Sequence, residues 1–359
     1  MKIAVIGGVN GAYAAAADLT EKGHEVRFWR RNAEALRASG TLTLKDADGE
    51  RPVKIASTSP DIGEALRGAE LVFLPDPAFT QLDNARRIAP HLTDGQVVFL
   101  APGTFGSWIM ARGVKADVAF AETGTLPWLT RKHGPTTAAI TARATRLPTG
   151  VFPKKKRESA LAVIRKAFPS IEPVEDGLSA ALMNAGPIIH PPLILMNAGP
   201  LEHAERGGDV KGRDSSSPFL WDIHKEGTQP SIRRVTDALD AERIAAREAL
   251  GYQAPHFPLA DHYRPDGDEW MYGRKVHKKL TDSQDWRERI DLTEHRYMRE
   301  DVEYGLAFLV SVCERAGVAC PVARGLLSLG SAVLGRDLRK EGSTLENLGL
   351  AKADLKAIL

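Results

Sequence analysis

The sequence predicts an α/β domain built on a doubly wound parallel sheet, followed by an all-α-helical domain. Three observations carry that expectation. Short apolar runs alternate with helical patterns through residues 1–175, a glycine-rich turn follows the first of those runs, and helical periodicity takes over beyond Glu175. A chain of 359 residues has room for about two domains of roughly 150 residues, and 43% hydrophobic residues can fill a core in each. The boundary is expected near Glu175, giving domains 1–175 and 176–359.

In order along the first domain, Lys2–Ile6, Glu25–Trp29, Leu71–Leu74, Val97–Ala101, Val118–Ala121 and Thr136–Thr141 read as buried strands. Ala12–Lys22 and Gln81–Leu92 read as intervening helices, and strand–helix alternation implies parallel strands joined by right-handed crossovers. Lys154–Arg157 reads as the solvated start of a helix over Glu158–Phe168. In the second domain Ser231–Leu250, Arg299–Ala316 and Val322–Leu334 carry helical periodicity.

Composition narrows the function. With 48 Lys+Arg against 46 Asp+Glu the net charge is +2, so there is no global basic footprint for nucleic acid. Two cysteines, Cys313 and Cys320, exclude a disulfide framework and a Cys-rich zinc site, and fit a reducing, cytoplasmic compartment. The apolar N-terminus is cut by Gly7, Gly8, Asn10 and Gly11 and does not read as a secretion signal. Gly177 to Leu201 has no Lys, Arg, Asp or Glu and is long enough to cross a bilayer. It holds Pro187, Pro191, Pro192 and Pro200 together with Asn184, Asn197 and His190, which argues for a buried segment rather than a membrane span.

The opening strand runs into Gly7-Gly8-Val9-Asn10-Gly11-Ala12 and then an Ala-rich helix. Strand, tight turn and helix let backbone N–H groups and the positive helix end face a pyrophosphate, which is the physics of a dinucleotide fingerprint. Val9 departs from that pattern, standing where a second glycine would allow close phosphate approach; Gly8 and Gly11 are left to supply the backbone freedom. The competing reading is a plain strand-to-helix turn. The second strand ends in Arg30-Arg31, about 20 residues beyond the glycines, where an acid would select NAD and arginine accommodates a 2′-phosphate. NADP(H) is therefore expected over NAD(H), against the alternative of two solvated charges. Pro75-Asp76-Pro77 and Ala101-Pro102-Gly103-Thr104 end later strands, with Glu122-Thr123 on the same edge, and are expected beside the nicotinamide half.

His190 is the only ionisable side chain in the uncharged segment. On that ground alone a satisfied core histidine is the better reading. Nothing at local spacing suggests a metal site.

The motifs around it resemble the opine dehydrogenases of the octopine/nopaline type. They are Ile189-His190-Pro-Pro-Leu-Ile-Leu-Met-Asn197-Ala198, Glu226-Gly-Thr-Gln-Pro-Ser231, Leu239-Asp-Ala-Glu-Arg-Ile244, Arg296-Tyr-Met-Arg-Glu-Asp301-Val, and Asp337 to Gly342 through Leu345 to Gly349. The resemblance implies a Rossmann domain followed by a helical domain, and NAD(P)H-dependent condensation of an α-keto acid with an amino acid. It places the catalytic histidine on His190, its partner carboxylate on Asp301 and a substrate-carboxylate arginine on Arg296. Asn197, two helical turns after His190, is a candidate substrate ligand, with a buried amide tying backbone as the equal alternative. A homodimer acting on small molecules is expected, with no nucleic-acid or membrane partner. The loop 255–285, with Trp270, Tyr272 and Arg274, and Trp286 just beyond it, is a candidate for amino-acid recognition or a surface excursion. Two other functions compete: a ketopantoate reductase or β-hydroxyacid dehydrogenase, where the proton donor is a lysine, and a non-catalytic NADP-sensing protein.

Overall fold

The computed structural model describes residues 1–32, 34–206, 221–264, 266–273 and 289–355. They form two compact units, the first containing Met1–Met183 and Glu269–Gly273, the second the described residues of Asn184–Asp268 and Arg274–Leu355. The first unit extends past the composition change at Glu175. Asp176 caps the short helix Gly177–Ala181 by accepting the Ser179 N–H at 2.9 Å, and a Cβ at Gly177 would come within 2.6 Å of Ser107 Oγ.

The strands of the first unit are β1 (Lys2–Ile6), β2 (Glu25–Trp29), β3 (Thr41–Asp46), β4 (Gly49–Lys54), β5 (Ser57–Ser59), β6 (Leu71–Leu74), β7 (Val97–Leu100), β8 (Ala119–Thr123), β9 (Trp128–His133), β10 (Thr137–Arg143), β11 (Leu147–Phe152) and β12 (Ile171–Pro173). Eight of them form one sheet in the order β12-β11-β8-β7-β6-β1-β2-β5. Alternate residues of its central strands feed two separate cores: Ile3, Val5, Leu71, Phe73, Val97 and Phe99 one, Ala4, Ile6, Val72, Leu74, Val98 and Leu100 the other. Side chains alternate with period 2, so a strand buried on both faces reads as a continuous apolar run, which is why these strands are visible in the sequence. β1 pairs in parallel with β2 on one side and β6 on the other. The strand order reverses there, which makes the carboxyl end of β1 a topological switch point.

Two features depart from the expected all-parallel sheet. β11 runs antiparallel to β8. The expected strand Thr136–Thr141 is β10, and it belongs to a separate four-stranded sheet, β4-β3-β10-β9, in which β9 pairs with it antiparallel. The small sheet lies against the helix Asn10–Glu21 through Asp18, 1% exposed, which accepts from Trp128 Nε1 at 2.9 Å and from Arg143 Nε at 2.7 Å. Arg143 continues to Asp46 of β3 at 2.6 Å, so one buried carboxylate on the helix holds both β9 and β10. The basic run Lys154–Lys156 is a 3₁₀ turn leading into the helix Arg157–Ala167.

Among its described residues the second unit is helical. The apolar stretch Gly177–Met196 is long enough for a membrane span, but it is broken between the helices Gly177–Ala181 and Gly186–Met196, and 78% of it is buried within the chain. Gly186–Met196 packs on Tyr297–Leu306, a π-helical run that passes into the α-helix Ala307–Ala316. Small residues set this approach: a Cβ at Gly305 would collide with Pro187 Cγ, and one at Gly186 with Asp301 Oδ1. Pro230–Ala249 and Pro321–Leu334 complete the frame; Glu242 of the former accepts the Val322 and Ala323 N–H groups at the start of the latter, each at 2.8 Å.

Candidate active site

In the first unit the predicted nucleotide turn sits at the switch point. Gly7 has φ +146°, a conformation that excludes most side chains, and its N–H donates to Trp29 O at 3.3 Å, tying the turn to the end of β2. Gly8 faces open space, with nothing within 4 Å of a Cβ built there. Gly11 is held tightly, since a Cβ would lie 3.1 Å from Pro75 O. Val9 is extended and 45% exposed, and no side chain caps the helix that starts at Asn10 and runs through Ala12. Uncapped helix amides beside an open glycine are what a pyrophosphate needs.

Arg30 is half-buried and Arg31 exposed, both just beyond β2 as expected. Arg30 places its guanidinium 4.9 Å from the Tyr13 ring centroid, and its Nε is buried without a hydrogen-bond partner among the described residues. The orphaned donor and the uncapped turn together fit a nicotinamide dinucleotide. Pro77 starts a 3₁₀ turn after β6, and Pro102 is half-buried after β7. Gly103 has a packing reason of its own: a Cβ there would collide with the carboxylate of Glu122. Glu122, the penultimate residue of β8, is fully buried, accepts from Ser107 Oγ, and has its carboxyl pushed up to about 7 by burial.

In the second unit the structure brings His190 and Asp301 together. Asp301 Oδ2 lies 2.6 Å from His190 Nδ1, with the two side chains 5% and 15% exposed. Burial pushes the Asp301 carboxyl up to about 7, while Arg296 and His295 pull it down. A carboxylate on Nδ1 fixes the tautomer and directs proton exchange with a ligand to Nε2.

Tyr297 and His224 are residues that sequence reasoning missed. The Tyr297 ring is parallel to the His190 imidazole, 3.8 Å between centroids and 13° between planes. Its hydroxyl is 2.8 Å from His224 Nε2, and His295 meets its edge at 4.4 Å. Asp222 Oδ1 accepts the His224 N–H, and Glu226 Oε2 accepts the Asp222 N–H at 2.6 Å, so Glu226 shapes the turn that carries His224. Tyr297 was within reach of pattern reading, because it stands between Arg296 and Asp301 in a quoted motif; His224 had no such signal.

Arg296 is exposed, 5.1 Å from the Tyr297 centroid, with Nη1 3.7 Å from Glu300 Oε2. Asn197 is 3% exposed: its Nδ2 donates to Leu193 O at 2.7 Å and Gly227 O at 3.0 Å, and its Oδ1 accepts from Trp221 Nε1 at 3.1 Å. A fully engaged amide of this kind ties backbone, which favours the structural alternative over the expected substrate contact. In the loop 255–285, Trp270 is buried and Tyr272 donates its hydroxyl to Leu126 O at 2.5 Å inside the first unit. Arg274 and Trp286 lie outside the described residues.

The family model of the NAD/NADP octopine/nopaline dehydrogenase α-helical domain matches residues 173–334. An opine dehydrogenase of Arthrobacter sp. (strain 1C) is 28% identical over 366 residues, covering 97% of this chain and 95% of that protein. A solved structure of octopine dehydrogenase with NADH and pyruvate superposes with TM-score 0.66 at 18% identity, covering 99% of this chain and 97% of its own. Yersinopine dehydrogenase with NADP⁺ gives TM-score 0.63 at 16% identity, covering 95% and 92%. The chain is an NAD(P)-dependent oxidoreductase similar over nearly its whole length to the opine dehydrogenases.

Proposed function

We propose that this enzyme uses NADPH to condense an α-keto acid of the pyruvate type with the amino group of an amino acid, giving an N-(carboxyalkyl) amino acid. The observation that carries the proposal is the 2.6 Å contact between His190 Nδ1 and Asp301 Oδ2 in a mostly buried setting. Related octopine dehydrogenase structures hold NADH with pyruvate, L-arginine or agmatine, which supports a keto acid and an amine as the substrate classes.

His190 Nε2 takes a proton from the ammonium group of the amino acid, freeing the lone pair that attacks the keto carbon. The same nitrogen returns that proton to the carbinolamine hydroxyl, so that water leaves and a protonated substrate imine remains. Asp301 holds the imidazole in the required tautomer and stabilises its charged form. Arg296 offers a planar fork to the keto-acid carboxylate. When bound, the nicotinamide supplies the hydride that reduces the imine carbon.

Arg30 and Arg31, rather than an acid, follow β2 and support NADPH as the preferred form. The test is a coenzyme-oxidation screen of amino acids against pyruvate, glyoxylate and oxaloacetate, with mass spectrometry of the product. A secondary-amine dicarboxylate is expected. Oxidation that needs only the keto acid and yields a hydroxy acid would overturn the proposal in favour of simple keto reduction.

A further inference from the structure

Lys132 was singled out by no sequence motif. It belongs to β9 of the small sheet, yet its backbone N–H donates to Asn10 Oδ1 at 3.0 Å, at the first residue of the nucleotide helix. Its ammonium lies 4.6 Å from the Tyr13 ring centroid, the same ring that Arg30 approaches at 4.9 Å. Tyr13 is 1% exposed, one helical turn beyond Asn10.

Two half-buried cations therefore share one aromatic ring, and among the described residues neither Arg30 nor Lys132 has an acidic partner. Such an arrangement is repulsive, and burial and the Arg30 charge both pull the Lys132 ammonium below its ordinary value. A dianionic group between the two would relieve the repulsion and engage the orphaned Arg30 Nε. The placement is deliberate in structural terms: Asp18, on the same helix, anchors β9 through Trp128 and β10 through Arg143, fixing the strand from which Lys132 projects.

We infer that Lys132 and Arg30, backed by Tyr13, form a two-armed clamp for the 2′-phosphate of NADP(H), with the small sheet supplying the second arm. This rests on the NADPH reading above and adds to it a specificity residue that the usual position after β2 does not contain.

The test is calorimetric titration of the full-length protein with 2′,5′-ADP and with 5′-AMP, which share everything but the 2′-phosphate. Wild type is expected to bind 2′,5′-ADP more tightly. Lys132→Gln and Arg30→Gln should each narrow that preference by roughly tenfold while 5′-AMP affinity and melting temperature hold, and Lys132→Arg should restore it. If Arg30→Gln narrows the preference and Lys132→Gln leaves it intact, the clamp is overturned and the NADPH reading stands. Equal weakening of both nucleotides by Lys132→Gln also overturns the clamp. A wild type that does not distinguish the two nucleotides overturns the NADPH reading and the clamp together.

Discussion

The ring of Tyr297 lies flat against the imidazole of His190, 3.8 Å away, while its hydroxyl reaches His224. The histidine is thus held on one nitrogen by Asp301 and across its plane by an aromatic ring that is itself fixed by a hydrogen bond. Replacing Tyr297 by Phe keeps the ring and removes the bond to His224, so stability should fall by about 1 kcal/mol with little change in turnover. Tyr297→Leu removes the flat support, and turnover should fall on the order of 10²-fold, since small misplacements of a reacting group are costly. Equal rates in the two variants would show that the stack does not position His190.

Asp301→Asn keeps the size of the side chain and removes the charge that sets the tautomer. Turnover should drop by about 10²–10⁴-fold while coenzyme binding, measured by fluorescence titration, stays at the wild-type level. An undiminished rate would remove the pair from the mechanism.

Gly186 is the residue against which Asp301 rests, and a Cβ there would collide with Asp301 Oδ1. Gly186→Ala should therefore displace the carboxylate and lower activity on the order of 10²-fold. The added Cβ meets the buried end of the Asp301 side chain rather than backbone, so the melting temperature should fall as well, but by less than the loss of activity implies. The informative comparison is activity against melting temperature in the same preparation.

Arg296 should reveal itself in KM rather than in the fold. Arg296→Gln is expected to raise the KM for the keto acid by about 10–100-fold, with Lys a partial substitute because it lacks the planar fork. Steady-state kinetics with the keto acid varied at saturating amine measures this directly.

Glu122 predicts a pH dependence of stability. Its folded-state carboxyl is raised to about 7 by burial, whereas in the unfolded chain it titrates near about 4.3. Between those values the folded state holds a proton that the unfolded state has lost. Its contribution is complete below the unfolded value and disappears as pH rises through about 7, at about 1.4 kcal/mol per unit. Glu122→Gln should flatten the fall in denaturant midpoint over this window, whatever it does to absolute stability. A slope identical to wild type would show that Glu122 does not titrate there.

The central strands, the glycine turn and the long helices of the second unit are legible in the sequence because each writes a local period: continuous apolar runs for β1, β6 and β7, and a 3.6-residue repeat for Pro230–Ala249 and Pro321–Leu334. Of the small sheet only β10 was, since β3, β4 and β9 mix apolar residues with Thr, Lys, Arg and Glu, and the sheet is held through Asp18 and Asp46 by partners far away in the chain. His190 stood out as the one ionisable group of an uncharged segment, and Asp301 was reached only through resemblance. Their contact spans 111 residues, and it required Gly186 and Gly305 to let two helices close. The sequence by itself thus determined the class of each unit and the chemical types available. Which groups meet was decided by tertiary packing, because the His190–Asp301 contact and the approach of Arg30 and Lys132 to one ring are distances between remote residues, and no local pattern encodes a distance of that kind.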